Sequence, residues 1–263
     1  MFTVSGHQVH SVTVGEGARA VMIHCALARH DALLPLAKEV GGQVTLFDMP
    51  GHGQSDAWDG QHEYQTLVTK AAAACSDAPT HLIGHSFGAT AALRLAVERP
   101  DLVNRLTLIE PVYFAAAKGL PEHAAHAKAF RPFVAAMLMG EEARAADLFN
   151  ALWGNTAWAD IPAKNKTYLI DRIHLIVAGG AAIEEDADNI TSAETLASLK
   201  MPVTLIRGSE TQPVIAAIHK RLAERIPQAT DHVVAGAGHM LPISPAHVSA
   251  VAAIIRAADQ GTD

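Results

Sequence analysis

Cysteine is nearly missing from this chain: 263 residues hold only Cys25 and Cys75. Two cysteines cannot build a disulfide framework, and they lack the clustered Cys/His spacing of a zinc module. A reducing compartment, and so a cytoplasmic location, is the expectation. Aromatic residues are also sparse at 5%, but 49% of residues are hydrophobic and 18% charged, which excludes collagen-like and disordered chains and suffices for one sizeable core. No apolar stretch reaches the roughly eighteen residues that cross a bilayer, and no basic segment leads into an apolar run at the N-terminus. Basic charge is short as well: 20 Lys and Arg stand against 27 Asp and Glu, a formal charge of −7. The nearest approach to a basic run is Lys220-Arg221. Nucleic-acid binders concentrate positive charge to displace phosphate counterions, so neither a nucleic-acid nor a membrane partner is expected. Internal repeats and low-complexity linkers are also missing.

Buried-strand patterns recur along the chain. Two short alternating runs, residues 2–5 and 9–14 with Gly6-His7 between them, read as a hairpin. The apolar runs at 20–24, 44–48, 80–84, 106–110, 203–207 and 232–234 are too continuous to be half exposed and read as strands covered on both faces. Helical spacing separates them at 32–40, 63–75, 87–99, 211–225 and 244–259. This alternation predicts an α/β fold with a mostly parallel central sheet flanked by helices. Residues 112–201 break the rhythm, with helical stretches interrupted by Pro121, Pro132, Gly154, Pro162 and Gly179-Gly180. The expected organisation is a core domain of 1–111 and 202–263, with 112–201 inserted as a helical lid over the carboxyl ends of the strands, where open α/β sheets bind ligands.

The most informative residues are Gly84-His85-Ser86-Phe87-Gly88, between a buried strand and a helix. A serine in so tight a turn has strained backbone angles and needs small residues two before and two after it. Its hydroxyl then projects above the sheet, and the Phe87 N–H at the helix start can face an oxyanion. A serine needs a base. His239, in the glycine-rich loop Gly236-Ala237-Gly238-His239-Met240 after the last strand, is the candidate. His81, His123, His126 and His219 read as structural or solvated.

With these residues in order, the sequence resembles the α/β-hydrolase family over nearly the whole chain outside 112–201. The resemblance extends to Asp48-Met49-Pro50-Gly51-His52-Gly53-Gln54-Ser55, similar to the loop after the family's fourth strand, which makes His52 architectural. It implies that the helical segment is a cap inserted after the sixth strand and that the Ala26 N–H pairs with Phe87 N–H as an oxyanion hole. The family has His-Gly where this chain has His24-Cys25. The usual acid after the seventh strand aligns with Thr211, which leaves two candidates: Glu110, at the end of the sixth strand, and Glu210.

The implied activity is hydrolysis of a small-molecule carboxylic ester through a Ser-His-acid triad and an acyl-enzyme, a carboxylesterase-like chemistry of class EC 3.1.1. A serine at the elbow excludes the alkyl-enzyme route of relatives that carry aspartate there. Carbon–carbon bond hydrolase, lactonase and thioesterase use the same machinery, and a low-turnover small-molecule receptor is the alternative of another class. Expected substrate-binding residues are Cys25, Phe133, Met137, Trp153 and Met240; Phe130, Met139, Phe149, Trp158, Tyr168 and Ile173 could also line an apolar acyl pocket, although such helical spacing more often marks packing against the sheet, and Lys128 or Arg131 could receive a substrate carboxylate. No metal or organic cofactor is required, and the chain is expected to be a monomer or homodimer.

Overall fold

The computed structural model describes residues 1–260. Its strands are β1 (Phe2–Val4), β2 (His7–Val9), β3 (Ser11–Val14), β4 (Arg19–Ile23), β5 (Gln43–Phe47), β6 (Thr80–His85), β7 (Val103–Ile109), β8 (Val203–Gly208) and β9 (Ala229–Val234). The last seven form one sheet in the order β3-β5-β4-β6-β7-β8-β9. Only β3 runs antiparallel to its neighbour, and β4 to β9 are parallel. The fold is the expected α/β architecture.

Side chains alternate across the sheet, and each face has its own helices. Val21, Ile23, Leu82 and Leu205 point to the side covered by α2 (Tyr64–Ala74), α3 (Phe87–Glu98) and α9 (Pro213–Arg225). Ala20, Met22, Ile83 and Ile206 point to the side covered by α1 (Leu34–Val40) and α10 (Val248–Gln260). All six residues of β6 are buried, which is why that run has no polar alternation.

The N-terminal expectation needs correction. The hairpin is β1 with β2, turning at Ser5 and Gly6, whose φ values are 48° and 86°. Two successive positive φ angles suit a tight hairpin turn. Residues 9–14 therefore do not form one strand: Val9 ends β2, and β3 begins at Ser11 and joins the main sheet along β5.

Between β7 and β8 the described residues form α4 (Pro121–Leu138), α5 (Glu142–Trp153), α6 (Ala163–Ile170), α7 (His174–Glu185) and α8 (Ala193–Ala197), without a strand. Pro132 sits inside α4. Among the described residues, no helix is long and apolar enough to cross a membrane.

Candidate active site

Three strained residues stand at the carboxyl ends of neighbouring strands. Leu27 follows β4, Ser86 follows β6 and Glu110 follows β7, with φ values of 62°, 56° and 51°. Left-handed backbone at non-glycine residues costs about 1–3 kcal/mol each and persists only where surroundings enforce it. At Ser86 the enforcement is visible. A Cβ on Gly84 would lie 2.4 Å from the Ala89 Cα, and one on Gly88 would lie 2.4 Å from the Ile23 carbonyl oxygen. The Ser86 N–H donates to the Ile109 carbonyl at 2.9 Å, tying the turn to β7.

His239 arrives from the loop after β9, and His85 Nε2 donates to its backbone carbonyl at 2.9 Å. The His239 ring bridges two groups. Its Nε2 lies 3.0 Å from Ser86 Oγ, and its Nδ1 lies 2.9 Å from Glu110 Oε2. With Nδ1–H donating to the carboxylate, Nε2 is free to accept the serine hydroxyl proton. Glu110 is fully buried and held in place on both oxygens. The Gly208 N–H donates to Oε1 at 2.8 Å, and the Thr211 hydroxyl donates to Oε2. Burial alone would raise the Glu110 carboxyl. The hydrogen bond and charge of His239, with Thr211 and Gly208, outweigh it and hold the group below the ordinary glutamate value.

Of the two candidate acids, only Glu110 reaches the histidine. Glu210 is exposed, and its backbone N–H binds the Ala237 carbonyl at 2.9 Å. Thr211, at the position aligned with the family's usual aspartate, serves Glu110 as a donor.

The Ala26 and Phe87 N–H groups enter no hydrogen bond among the described residues, and both residues line the same cavity as Ser86. The loop carrying Ala26 is set by two buried histidines. His52 Nε2 accepts the Leu27 N–H at 3.0 Å, and its Nδ1 lies 3.2 Å from the Tyr64 hydroxyl. His24 Nε2 accepts the Met49 N–H at 3.0 Å, while its Nδ1 donates to the Cys25 carbonyl at 2.7 Å. Desolvation drives both imidazoles down, His24 to about 4 and His52 to about 3, so they act as neutral acceptors.

Ser86 and His239 open onto a cavity of about 190 Å³. Of the expected substrate-binding residues, Cys25, Trp153 and Met240 line it. Burial pushes the Cys25 thiol up to about 12, so it is an inert part of the wall. The Trp153 ring lies 4.8 Å from that of His239. Phe133 and Met137 do not line the cavity. Phe133 is 1% exposed and packs with Leu27, Ala136 and Ile173, with Met137 against the same cluster. Phe130 and Phe149, from the same set of apolar lid residues that the helical spacing offers, do line it. Lys128 and Arg131 are exposed and also lie outside the lining. The charged side chain that sequence reasoning missed is Glu184, which lines the cavity with one oxygen 3.5 Å from His123 Nε2. Burial pushes its carboxyl up. His126 is buried and stacked on Phe114 at 4.3 Å, and His219 is bound to Asp231 at 2.9 Å. His81 donates or accepts at Thr107 Oγ1 over 2.8 Å.

A sequence model of the alpha/beta hydrolase fold matches residues 21–246. An (E)-2-((N-methylformamido)methylene)succinate hydrolase of Acinetobacter baylyi is 34% identical over 109 residues, a stretch that spans 40% of this chain and 41% of that protein. The lipase LipV of Mycobacterium tuberculosis is 28% identical over 248 residues, 88% of this chain and 85% of the lipase. Among solved structures, a thermophilic esterase from Thermogutta terrifontis superposes with a TM-score of 0.74 at 19% identity, covering 97% of this chain and 96% of its own. The enol-lactonase from Burkholderia xenovorans superposes at 0.67 with 18% identity, covering 97% of each chain. At such identities the structural likeness speaks for the fold alone.

Proposed function

We propose that this chain, which belongs to the alpha/beta hydrolase fold family, is a serine hydrolase that cleaves small-molecule carboxylic esters through an acyl-enzyme. One observation carries the reading: the unbroken hydrogen-bonded line from Ser86 Oγ through both nitrogens of His239 to Glu110. Ser86 Oγ attacks the acyl carbon as His239 Nε2 takes its proton, and the carbonyl oxygen gains its negative charge between the Ala26 and Phe87 amides. His239 then protonates the departing alkoxide, leaving the acyl group on Ser86. Water repeats the sequence, giving its proton to His239, releasing the acid and restoring the serine. Glu110 fixes the histidine tautomer and stabilises the imidazolium between the two half-reactions. Residues 112–201 serve as the lid, since Phe130, Phe149 and Trp153 supply much of the cavity wall.

The wall also bears on the acyl group. It is mostly apolar, no lysine or arginine lines it among the described residues, and Glu184 is the acid that does. A carboxylate-bearing substrate, such as the succinate derivative in the name of the Acinetobacter relative, would meet like charge in a low-dielectric site. The preferred substrate is therefore an ester with an apolar, neutral acyl chain.

Labelling with a fluorophosphonate, followed by peptide mapping, tests the nucleophile. Modification of Ser86 and its loss in Ser86→Ala are expected. Failure of the native protein to label would favour a ligand-binding protein over an enzyme. Turnover of p-nitrophenyl butyrate against a p-nitrophenyl succinate half-ester, lactones, thioesters and a vinylogous diketone then assigns the acyl class. Glu184→Gln is expected to raise the half-ester rate relative to butyrate by about tenfold, the equivalent of about 1.4 kcal/mol.

A further inference from the structure

We infer that His7, Asp59 and His62 form a binding site for one divalent transition-metal ion of the zinc type. None of the three lines the cavity beside Ser86, and the proposed acyl chemistry does not use them. Their ligand atoms all lie within 4.8 Å of one another; Asp59 and His62 are neighbours in one turn, and His7 reaches them from a strand some fifty residues earlier in the chain. What brings them together is a pair of hydrogen bonds between β2 and Asp56 in the loop before α2. The Gln8 N–H donates to Asp56 Oδ2 at 2.7 Å, and the Asp56 N–H donates to the Gln8 carbonyl at 2.9 Å.

Two of the ligands, His7 and Asp59, are oriented by a partner on the far side. His7 Nδ1 donates to the Ser5 carbonyl at 3.2 Å, which fixes the tautomer and leaves the Nε2 lone pair available. That atom lies 3.9 Å from Asp59 Oδ2, on a ring only 7% exposed. The distance is too long for a hydrogen bond, and His7 Nε2 has no other partner among the described residues. Asp59 Oδ1 accepts the Gln61 and His62 N–H groups at 2.9 and 3.1 Å. Its other oxygen, Oδ2, faces His62 Nδ1 at 2.6 Å. A metal bound at about 2.0–2.2 Å from each ligand sets tetrahedral neighbours about 3.4 Å apart. Reaching that spacing takes two movements: the gap of 3.9 Å between His7 Nε2 and Asp59 Oδ2 closes by about half an ångström, and the Asp59–His62 pair, at 2.6 Å, opens by about 0.8 Å as the ion replaces the proton between them.

Two imidazoles with one carboxylate favour zinc, cobalt or nickel over magnesium and calcium, which prefer oxygen ligands. The ion would staple the N-terminal hairpin to the loop preceding α2. That loop continues through Trp58, whose Nε1 donates to the His62 carbonyl at 2.9 Å, to Tyr64 and so to His52. The expected consequence is stability rather than chemistry.

The test uses untagged full-length protein stripped with a chelator. Calorimetric titration with zinc chloride should show one equivalent bound, with a higher Tm in zinc and no shift in magnesium. Asp59→Asn retains the Oδ1 acceptor and removes the charge. It and His62→Ala should each weaken binding about tenfold or more. His30→Ala, in the second cluster of His10, His30 and Asp48, should leave the zinc affinity unchanged. No saturable zinc binding by the native chain would overturn the proposal, as would equal affinity in Asp59→Asn and His62→Ala.

Discussion

Glu110 and Glu210 have the same functional group, and backbone position alone separates them. At Glu110 a left-handed residue directly after β7 turns the carboxylate into the sheet end, against His239, Gly208 and Thr211. At Glu210 the chain has already left β8, and the side chain points to solvent. If Glu110 orients His239, then Glu110→Gln should lower kcat on p-nitrophenyl butyrate by about 10³–10⁴-fold, because a neutral amide favours the wrong tautomer and leaves the imidazolium unpaired. Glu210→Gln should remain within about twofold of the native rate, as surface substitutions usually do. Comparable losses in both variants would remove Glu110 from the proposed role. The pentapeptide around Ser86 and the glycine-rich loop around His239 were legible as sequence because their backbone demands restrict residue type. The acid was not, because either glutamate satisfies the chain order and only the three-dimensional ends of β7 and β8 distinguish them.

The elements follow the same division between what local pattern fixes and what packing decides. Strands buried on both faces leave uninterrupted apolar runs, so β4, β5, β6 and β8 could be read to within a residue, whereas β7 and β9 each begin three residues earlier than their apolar runs, where polar or partly uncovered residues interrupt the pattern. At the N-terminus, alternation continues through His10, so the sequence does not mark where the chain leaves the hairpin for the main sheet. In α4 the spacing of Phe130, Phe133 and Met137 defines a helical face, but which part of that face borders the cavity depends on how the helix is rotated over the sheet. The turn between β6 and α3 has no such freedom. Gly88→Ala would place a methyl 2.4 Å from one backbone oxygen and 2.5 Å from another, neither of which can rotate away. Forced overpacking of this kind costs about 1–3 kcal/mol or more, and here it also displaces Ser86. Gly88→Ala should therefore lower Tm and abolish fluorophosphonate labelling together, whereas Gly180→Ala, with open space around its Cβ position, should preserve both. Unchanged labelling in Gly88→Ala would mean that the elbow tolerates a wider turn than these contacts allow.

The whole molecule has its acid sensitivity built into the scaffold beneath the site. His24, His52 and His85 are buried, and desolvation lowers them from 6.5 to about 4, 3 and 3. In the unfolded chain each regains an ordinary value, so between pH 6.5 and about 4 the unfolded state binds protons that the folded state refuses. Stability contributed by their neutral burial is therefore complete above pH 6.5 and declines as pH falls. Each histidine contributes a slope of up to about 1.4 kcal/mol per pH unit, and three together could remove about 4 kcal/mol per unit from a total that is ordinarily about 5–15 kcal/mol. Below about pH 4, Glu110 and Asp48 act in the same direction. Burial opposes their ionised forms, but hydrogen bonds and neighbouring histidines hold both carboxyls below their ordinary values, so the unfolded chain again takes up protons first. Urea unfolding at pH 8, 7, 6 and 5 should give nearly constant stability between the first two and a steep fall between the last two. His52→Gln can retain an acceptor for the Leu27 N–H without a titratable ring, and should reduce that slope by about one proton. A native protein whose urea midpoint stayed level down to pH 5 would contradict this, because it would require those three rings to be protonated within the fold, where His24 and His52 could no longer accept the amides that shape the loop around Ala26.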